Sequence, residues 1–202
     1  LSETYRLPLS GYRWVCWADV PANLNWAEWM TQFAGNHWIV RGVPSELLPQ
    51  VKALQAEAIP QGLEARLNLS KPHFAKKSLQ ELIRRGKRHG AASELPPSEA
   101  SMTRMESLLA ETRYHGRPPL KGLFRTTLHA GMRIFSFQNE NHWFASFVLL
   151  NTAPGFYHTE LIFRQKNAPV GIMEALMESI FLTLQAEGAL YWSLGEAPFH
   201  NA

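Results

Sequence analysis

Three apolar stretches in close succession decide the fold: RIFSFQ (Arg133–Gln138), HWFASFVLLN (His142–Asn151) and FYHTELIF (Phe156–Phe163). Short joints rich in turn-forming residues separate them at Asn139–Asn141 and Thr152–Gly155. Because joints this short connect neighbouring antiparallel strands, the pattern predicts a three-stranded meander.

A long helix and a last strand follow the meander. Apolar residues recur at helical spacing over Val170–Glu187, Gly188 ends the pattern, and Leu190–Leu194 is the last apolar strand. Before the meander, Ser98 begins one helical stretch and Leu120–Ala130 forms another. The order helix, helix, meander, helix, strand predicts an α/β (α+β) domain in which helices flank a mixed sheet.

The N-terminal third alternates strand-like and helix-like stretches. The pattern predicts strands over Tyr12–Val20, His37–Arg41 and Leu63–Leu69, and helices over Trp26–Phe33 and from Ser45 to Ala58. This alternation predicts a separate αβ subdomain over residues 1–70.

Composition is that of a folded globular protein, with 46% hydrophobic and 18% charged residues in 202. No apolar run approaches the roughly 20 residues that span a bilayer, so we expect a cytoplasmic domain, with contact at the inner face of the membrane as an option. The single cysteine, Cys16, excludes an internal disulfide and reads as a core residue. Since no HExxH-type spacing is present, we expect no metal.

Positive charge is concentrated between Lys71 and Gly90, where seven basic residues and one acidic residue give +6. The whole chain carries +3, so the remainder carries 3 − 6 = −3. Over Phe74–His89 the apolar residues fall on one side of a helix and the basic residues around the other. The pattern favours contact with a polyanion, either tRNA or anionic phospholipid, over a merely solvated face. The residues concerned are Lys76, Lys77, Arg84, Arg85, Lys87 and Arg88.

After this helix, Ala91–Pro97 has the small and proline residues of a linker. We therefore predict a basic connecting helix and linker over residues 71–97, between the αβ subdomain and a domain over residues 98–202.

Four stretches resemble a known family. APVGIME (Ala168–Glu174) is similar to the Ala-Pro-x-Gly-x-Met-Asp/Glu helix start of the aminoacyl-phosphatidylglycerol synthase C-terminal domains, best known as phosphatidylglycerol lysyltransferases, and an arginine, here Arg164, precedes it. YWSLGEAPF (Tyr191–Phe199) resembles the family's aromatic-x-Ser-Leu-Gly-Met-Ala-Pro-Leu strand end, with glutamate in place of methionine. Leu82–Gly90 and Tyr157–Leu161 resemble its basic helix and its acidic-residue strand.

The resemblance implies a GNAT-like mixed sheet, preceded by a partial GNAT-like subdomain. It implies an aminoacyltransferase that moves an amino acid, of the lysine or alanine type, from aminoacyl-tRNA to phosphatidylglycerol or a related acceptor. Aminoacyl-tRNA is then a co-substrate and no cofactor is needed. Two alternatives stay open: a coenzyme A-dependent N-acyltransferase, which would hold coenzyme A at the helix start, and a noncatalytic GNAT-like binding module.

The helix start is the first part of the candidate site. In a GNAT-like fold it faces the cleft, where the amides of Val170, Gly171 and Ile172 would attract an anion. Arg164 would add a bidentate grip on a phosphate. The alternative is that Pro169 simply begins a helix and Arg164 is a surface charge.

The acidic strand supplies the candidate catalytic residues. Transfer from an activated ester needs a group that accepts the proton of the acceptor hydroxyl. Glu160 and His158 are the nearest candidates, and since they flank Thr159 in a strand we expect both on one face. Either one can equally be an ordinary strand residue.

Overall fold

The computed structural model describes residues 4–7, 9–15, 28, 31, 37–41, 43, 48–53, 55–59, 62–116, 131–140 and 142–198. The chain divides into two compact units. The first comprises Leu1–Leu63, Leu120–Thr126 and Ala197–Ala202, and the second comprises Glu64–Pro119 and Thr127–Glu196.

The first unit holds a three-stranded sheet of β1 (Thr4–Arg6), β2 (Arg13–Val15) and β3 (Trp38–Val40), in that order. β1 pairs with β2 antiparallel, and β2 pairs with β3 parallel. β2 and β3 lie within strands expected from the sequence. Cys16 lies outside the described residues, as does most of the helix expected over residues 26–33.

One helix of this unit, α1 (Leu48–Ala53), is shorter than expected. We expected it to reach Ala58, which is wrong because the residues from Ala56 onward are not helical. Gln55 adopts a left-handed φ of 57°, and its N–H donates to the Lys52 carbonyl at 3.0 Å. A left-handed residue with such a bond ends a helix.

The second unit holds a six-stranded mixed sheet in the order β4-β9-β8-β7-β6-β5. Its strands are β4 (Gly62–Asn68), β5 (Ala91–Leu95), β6 (Met132–Gln138), β7 (Trp143–Ala153), β8 (Phe156–Arg164) and β9 (Tyr191–Pro198). β5 to β8 pair antiparallel in succession, and β8 pairs with β9 parallel. The predicted meander and last strand are therefore confirmed.

Helices cover the two faces of this sheet. α2 (Lys77–Gly86) and α4 (Ile172–Ala186) contribute to one core, which contains Phe147 from β7. α3 (Glu99–Ala110) contacts β7 and β8. Val148 is buried outside that core and alternates with Phe147, so α3 lies on the opposite face. The helix expected over residues 120–130 lies outside the described residues.

Two glycines bring the backbones of α2 and α4 into contact. A Cβ on Gly171 would lie 2.0 Å from the Leu82 carbonyl oxygen, and a Cβ on Gly86 would lie 2.2 Å from the Gly171 oxygen. Gly171 also has a φ of 95°, which side chains rarely tolerate. The start of α4 is thereby fixed against the basic helix.

The expected linker Ala91–Pro97 is wrong over most of its length, because Ala91–Leu95 is the edge strand β5. It pairs antiparallel with β6, from Ala91 opposite Gln138 to Leu95 opposite Ile134. Its residues therefore belong to the sheet and not to a flexible joint. Among the helices that the structure describes, none is both long and apolar enough to cross a membrane.

Candidate functional site

The centre of the six-stranded sheet is interrupted between its two parallel strands. β8 and β9 pair over three residues only, ending where His158 lies opposite Ser193. Both strands continue beyond this point, β8 to Arg164 and β9 to Pro198, with no further pairing to each other within their described residues. Strands that continue without pairing separate, so a gap opens in the sheet at His158.

A β-bulge lies next to the gap. Along the register of β7 with β8, Leu149 faces Thr159 but Val148 faces Leu161, so Glu160 is the extra residue. Bulges bend a strand and redirect side chains, often beside active sites. We expected Glu160 and His158 on one face because side chains alternate along a strand, and alternation does not hold through a bulge. That the two residues share a face stays a prediction.

Three polar side chains from adjacent strands meet at the end of the parallel pairing. His158 Nδ1 lies 3.2 Å from Ser193 Oγ and 3.8 Å from Glu64 Oε1. The Ser193 hydroxyl also accepts a hydrogen bond from the Gly195 N–H at 3.2 Å. His158 is buried, with 7% of its surface exposed, while the Glu64 side chain is 26% exposed.

Glu64 stays ionised in this setting. The neighbouring His158 ring is the largest cause that lowers the pKa of the Glu64 carboxyl, to about 2, and burial opposes it. Ser193 lowers the same pKa as a further hydrogen-bond partner, and so does Arg66, whose guanidinium binds Oε2. At 3.8 Å, Glu64 Oε1 and His158 Nδ1 are too far apart for a direct hydrogen bond.

Glu64, His158 and Ser193 do not form the proton relay of a serine hydrolase. In that relay the nucleophile and the carboxylate bind different nitrogens of the histidine. Here Ser193 and Glu64 both approach Nδ1 of His158. The arrangement is suited to orienting the imidazole ring rather than to activating Ser193.

On the opposite face, a buried bond ties β8 to β9. Trp192 Nε1 donates to Thr159 Oγ1 at 2.8 Å, and the Trp192 ring packs edge-on against Phe147. Thr159 follows His158 in the sequence, and Trp192 precedes Ser193. This core contact holds His158 and Ser193 in register.

Of the residues predicted to form the anion site, Arg164 lies next to the helix start, but two of the three helix-start residues are buried. The Arg164 guanidinium donates to the Ala168 carbonyl at 3.0 Å, which places it beside the start of α4. Val170 is exposed there, but Gly171 and Ile172 are buried against the core and the basic helix. Their role in phosphate binding stays a prediction.

The basic face of α2 is exposed to solvent. Each of its six basic residues is solvent-exposed, including the flanking ones: Lys76, Lys77, Arg84, Arg85, Lys87 and Arg88. Arg84 bonds Glu81 at 2.8 Å, and Lys87 bonds Glu178 at 2.5 Å. Within the described part of the chain the other four have no carboxylate partner. A groove of about 580 Å³ runs along this face and includes Lys77 and Arg84.

Sequence reasoning found His158 but missed its two partners. Ser193 was visible only as part of a motif, and Glu64 lies near the start of a weakly patterned strand, Gly62–Asn68, far away in the chain. Only the strand order β4-β9-β8 brings the three together. No group of three or more potential metal ligands occurs among the residues that the structure describes.

Solved structures share this fold. L-PGS from Bacillus licheniformis has a TM-score of 0.70 at 20% identity, over 87% of this chain and 57% of that one. The C-terminal domain of a protein described as a lysylphosphatidylglycerol synthetase from Agrobacterium fabrum gives 0.68 at 19% identity, over 85% and 58%. A conserved protein of unknown function from Bacteroides thetaiotaomicron gives 0.54 at 8%, over 84% and 64%.

At these identities the likeness shows a common fold, and this chain spans less than two thirds of each of those chains. No curated protein matches it. The family model described as phosphatidylglycerol lysyltransferase, C-terminal, matches residues 20–202. The match covers most of the sequence, including the strands that carry Glu64, His158 and Ser193, and the chain therefore belongs to the phosphatidylglycerol lysyltransferase C-terminal domain family.

Proposed function

We propose that this chain is a GNAT-like aminoacyltransferase domain that moves an amino acid, of the lysine or alanine type, from aminoacyl-tRNA to phosphatidylglycerol or a related hydroxyl acceptor. The observation that carries the proposal is the position of His158. It lies at the gap between β8 and β9, in a chain that belongs to the phosphatidylglycerol lysyltransferase family. A gap between central parallel strands is a natural place for a ligand.

The reaction needs little beyond positioning and proton transfer. The acceptor hydroxyl oxygen attacks the ester carbonyl carbon of the aminoacyl-tRNA, a new ester bond forms, and the bond to the tRNA ribose oxygen breaks. One proton moves from the acceptor hydroxyl to that ribose oxygen. His158 or Glu160 accepts it and returns it, and a group that does so contributes typically about 10²–10⁴-fold to the rate.

Charge on the second unit suits both substrates. The exposed basic face of α2 supplies sequence-independent attraction for tRNA phosphates. Arg164, beside the start of α4, offers a planar fork for the phosphate of the acceptor or the donor. Anionic lipid would be attracted by the same basic face, which favours contact at a membrane surface.

The test is a transfer assay with the purified chain, radiolabelled lysyl-tRNA or alanyl-tRNA, and vesicles that contain phosphatidylglycerol. We expect label in the lipid fraction, and none with vesicles of phosphatidylcholine alone. Absence of labelled lipid with either tRNA would contradict the proposal. Calorimetric binding of coenzyme A in the same preparation would favour the N-acyltransferase alternative instead.

A further inference from the structure

A pair of aromatic rings lies beside the His158 cluster on the same face of the sheet. In the parallel register of β8 with β9, Phe156 is opposite Tyr191. Two residues further along, His158 is opposite Ser193. Side chains alternate between the faces of a sheet, and the residue between, Trp192, is buried in the core on the other face. The two pairs therefore share a face and lie about 6.6 Å apart along the strands.

The two rings form a flat and partly exposed surface. Their centroids are 5.5 Å apart and their planes differ by 22°, so the rings stack. Tyr191 keeps 36% of its surface exposed, Phe156 is half-buried, and neither contributes to the core that contains Trp192. Cross-strand aromatic pairs stabilise a sheet by themselves. Exposed aromatic rings are also the surfaces on which proteins stack the bases of single-stranded nucleic acid.

Tyr191 also lines a groove of about 340 Å³, which has polar groups that suit a nucleotide. Asn68 and Ser70 line the same groove, and the Ser70 hydroxyl donates to Asn68 Oδ1 at 2.7 Å. Lys71, the first residue of the basic segment, directly follows Ser70 and is exposed. Amide and hydroxyl groups can bond the edge of a base, and a lysine can bind its phosphate. A fatty acyl chain would leave these polar groups without partners, which costs free energy.

We propose that Tyr191 and Phe156 form a stacking platform for the terminal base of the aminoacyl-tRNA. The inference rests on the proposed function and names the part of the tRNA that this face recognises. The ester and the terminal base of an aminoacyl-tRNA are attached to the same ribose, so the platform and the proton-accepting group have to lie within one nucleotide of each other. The spacing of about 6.6 Å between Tyr191 and the His158 cluster meets this requirement. Tyr191 binds the substrate in this arrangement and takes no part in proton transfer.

The experiment compares the binding of two uncharged tRNAs that differ only at the 3′-terminal nucleotide, which is intact in one and abasic in the other. We expect the wild type to bind the intact tRNA about five- to a hundredfold more tightly, which is the range of one base–aromatic stack. Tyr191→Ala should bind both tRNAs equally, whereas Tyr191→Phe, which keeps the ring, should retain the preference. The control is Leu182→Ala, which removes an exposed apolar side chain of α4 and should also retain it. Each protein is its own reference, so a general loss of affinity leaves the comparison valid.

Equal binding of the two tRNAs by the wild type, or a preference that survives in Tyr191→Ala, would overturn the platform. In both cases tRNA is still bound, so the proposed function stands. If the wild type binds neither tRNA, the proposed function is contradicted and the platform falls with it. A Tyr191→Ala protein that keeps the base preference but no longer binds phosphatidylglycerol vesicles would assign the aromatic pair to the lipid and overturn the proposal.

Discussion

The basic face of α2 and the His158 cluster are both in the second unit, and they differ in nearly every physical respect. The basic face is an exposed array of six side chains, of which Arg84 and Lys87 have a carboxylate partner among the described residues. The cluster is a set of three side chains in which His158 and Ser193 are buried, Glu64 is partly exposed, and specific atoms are in contact. An exposed array should act through summed charge, and be sensitive to salt. A buried cluster should act through geometry, and be sensitive to single substitutions.

Of the substitutions that separate the two regions, a change at His158 should have the largest effect. Replacing it with glutamine removes the proposed proton acceptor at the strand gap while keeping a polar side chain of similar size. We expect the turnover number for aminoacyl transfer to fall by about a hundredfold or more, with little change in the KM for aminoacyl-tRNA. Steady-state kinetics checks this, and circular dichroism controls for folding. A variant with wild-type turnover would remove His158 from the mechanism.

The basic face should respond differently, through binding and salt. Changing Lys77, Arg84 and Arg88 together to alanine should weaken tRNA binding by between about ten- and a hundredfold and flatten the slope of log K against log salt by about 2–3. Stability should be almost unaffected, because all three are exposed. Binding titrations at several salt concentrations measure the slope.

A matched control for that prediction is the triple variant Glu99→Ala, Glu106→Ala and Arg104→Ala on exposed positions of α3. It should leave the salt slope of tRNA binding unchanged. If the basic-face variant keeps the wild-type slope as well, the face is only solvated.

Arg164 shares a feature with each of the two regions. It is an exposed cation, as on the basic face, but its guanidinium is positioned by a hydrogen bond to the Ala168 carbonyl. Loss of a charge-assisted phosphate contact costs on the order of 1.5–3 kcal/mol, so Arg164→Ala should lower kcat/KM about tenfold or more. Arg164→Lys should recover only part of this, because a point charge lacks the planar fork. Equal activity of the lysine variant and the wild type would refute bidentate binding.

The smallest effect concerns stability in acid. Glu64 has a folded pKa of about 2, below the ordinary value of 4.5. Its contribution to stability is therefore complete above pH 4.5 and is lost as the pH falls from 4.5 toward 2. Discounted for partial solvent exposure, it should be about 1–2 kcal/mol.

Urea unfolding of wild type and Glu64→Gln measures that contribution. The difference in the free energy of unfolding should be present at neutral pH and shrink through the acid window. An equal difference at both ends of the window would show that the carboxylate charge contributes nothing and that only packing changed.

Local patterns were enough to predict the meander, α4 and the basic helix, because helical periodicity and short turns depend only on residues that are close together in the sequence. They failed at β5, where small residues look like a linker but pair with β6. They could not show the bulge at Glu160, since a bulge is set by register against β7 rather than by the strand's own residues. Glu64 could not be placed in the site because its neighbours there come from strands distant in the chain.

We propose that the strand gap performs the transfer, whereas the basic face only gathers the tRNA. Single-turnover transfer from radiolabelled aminoacyl-tRNA to phosphatidylglycerol vesicles, at saturating enzyme, tests this with the wild type, His158→Gln and the variant that lacks Lys77, Arg84 and Arg88. The account predicts that the basic-face variant recovers the wild-type rate once tRNA is fully bound, and that His158→Gln stays about a hundredfold slower. A slow basic-face variant at saturation, or a His158→Gln protein as fast as the wild type, would contradict it.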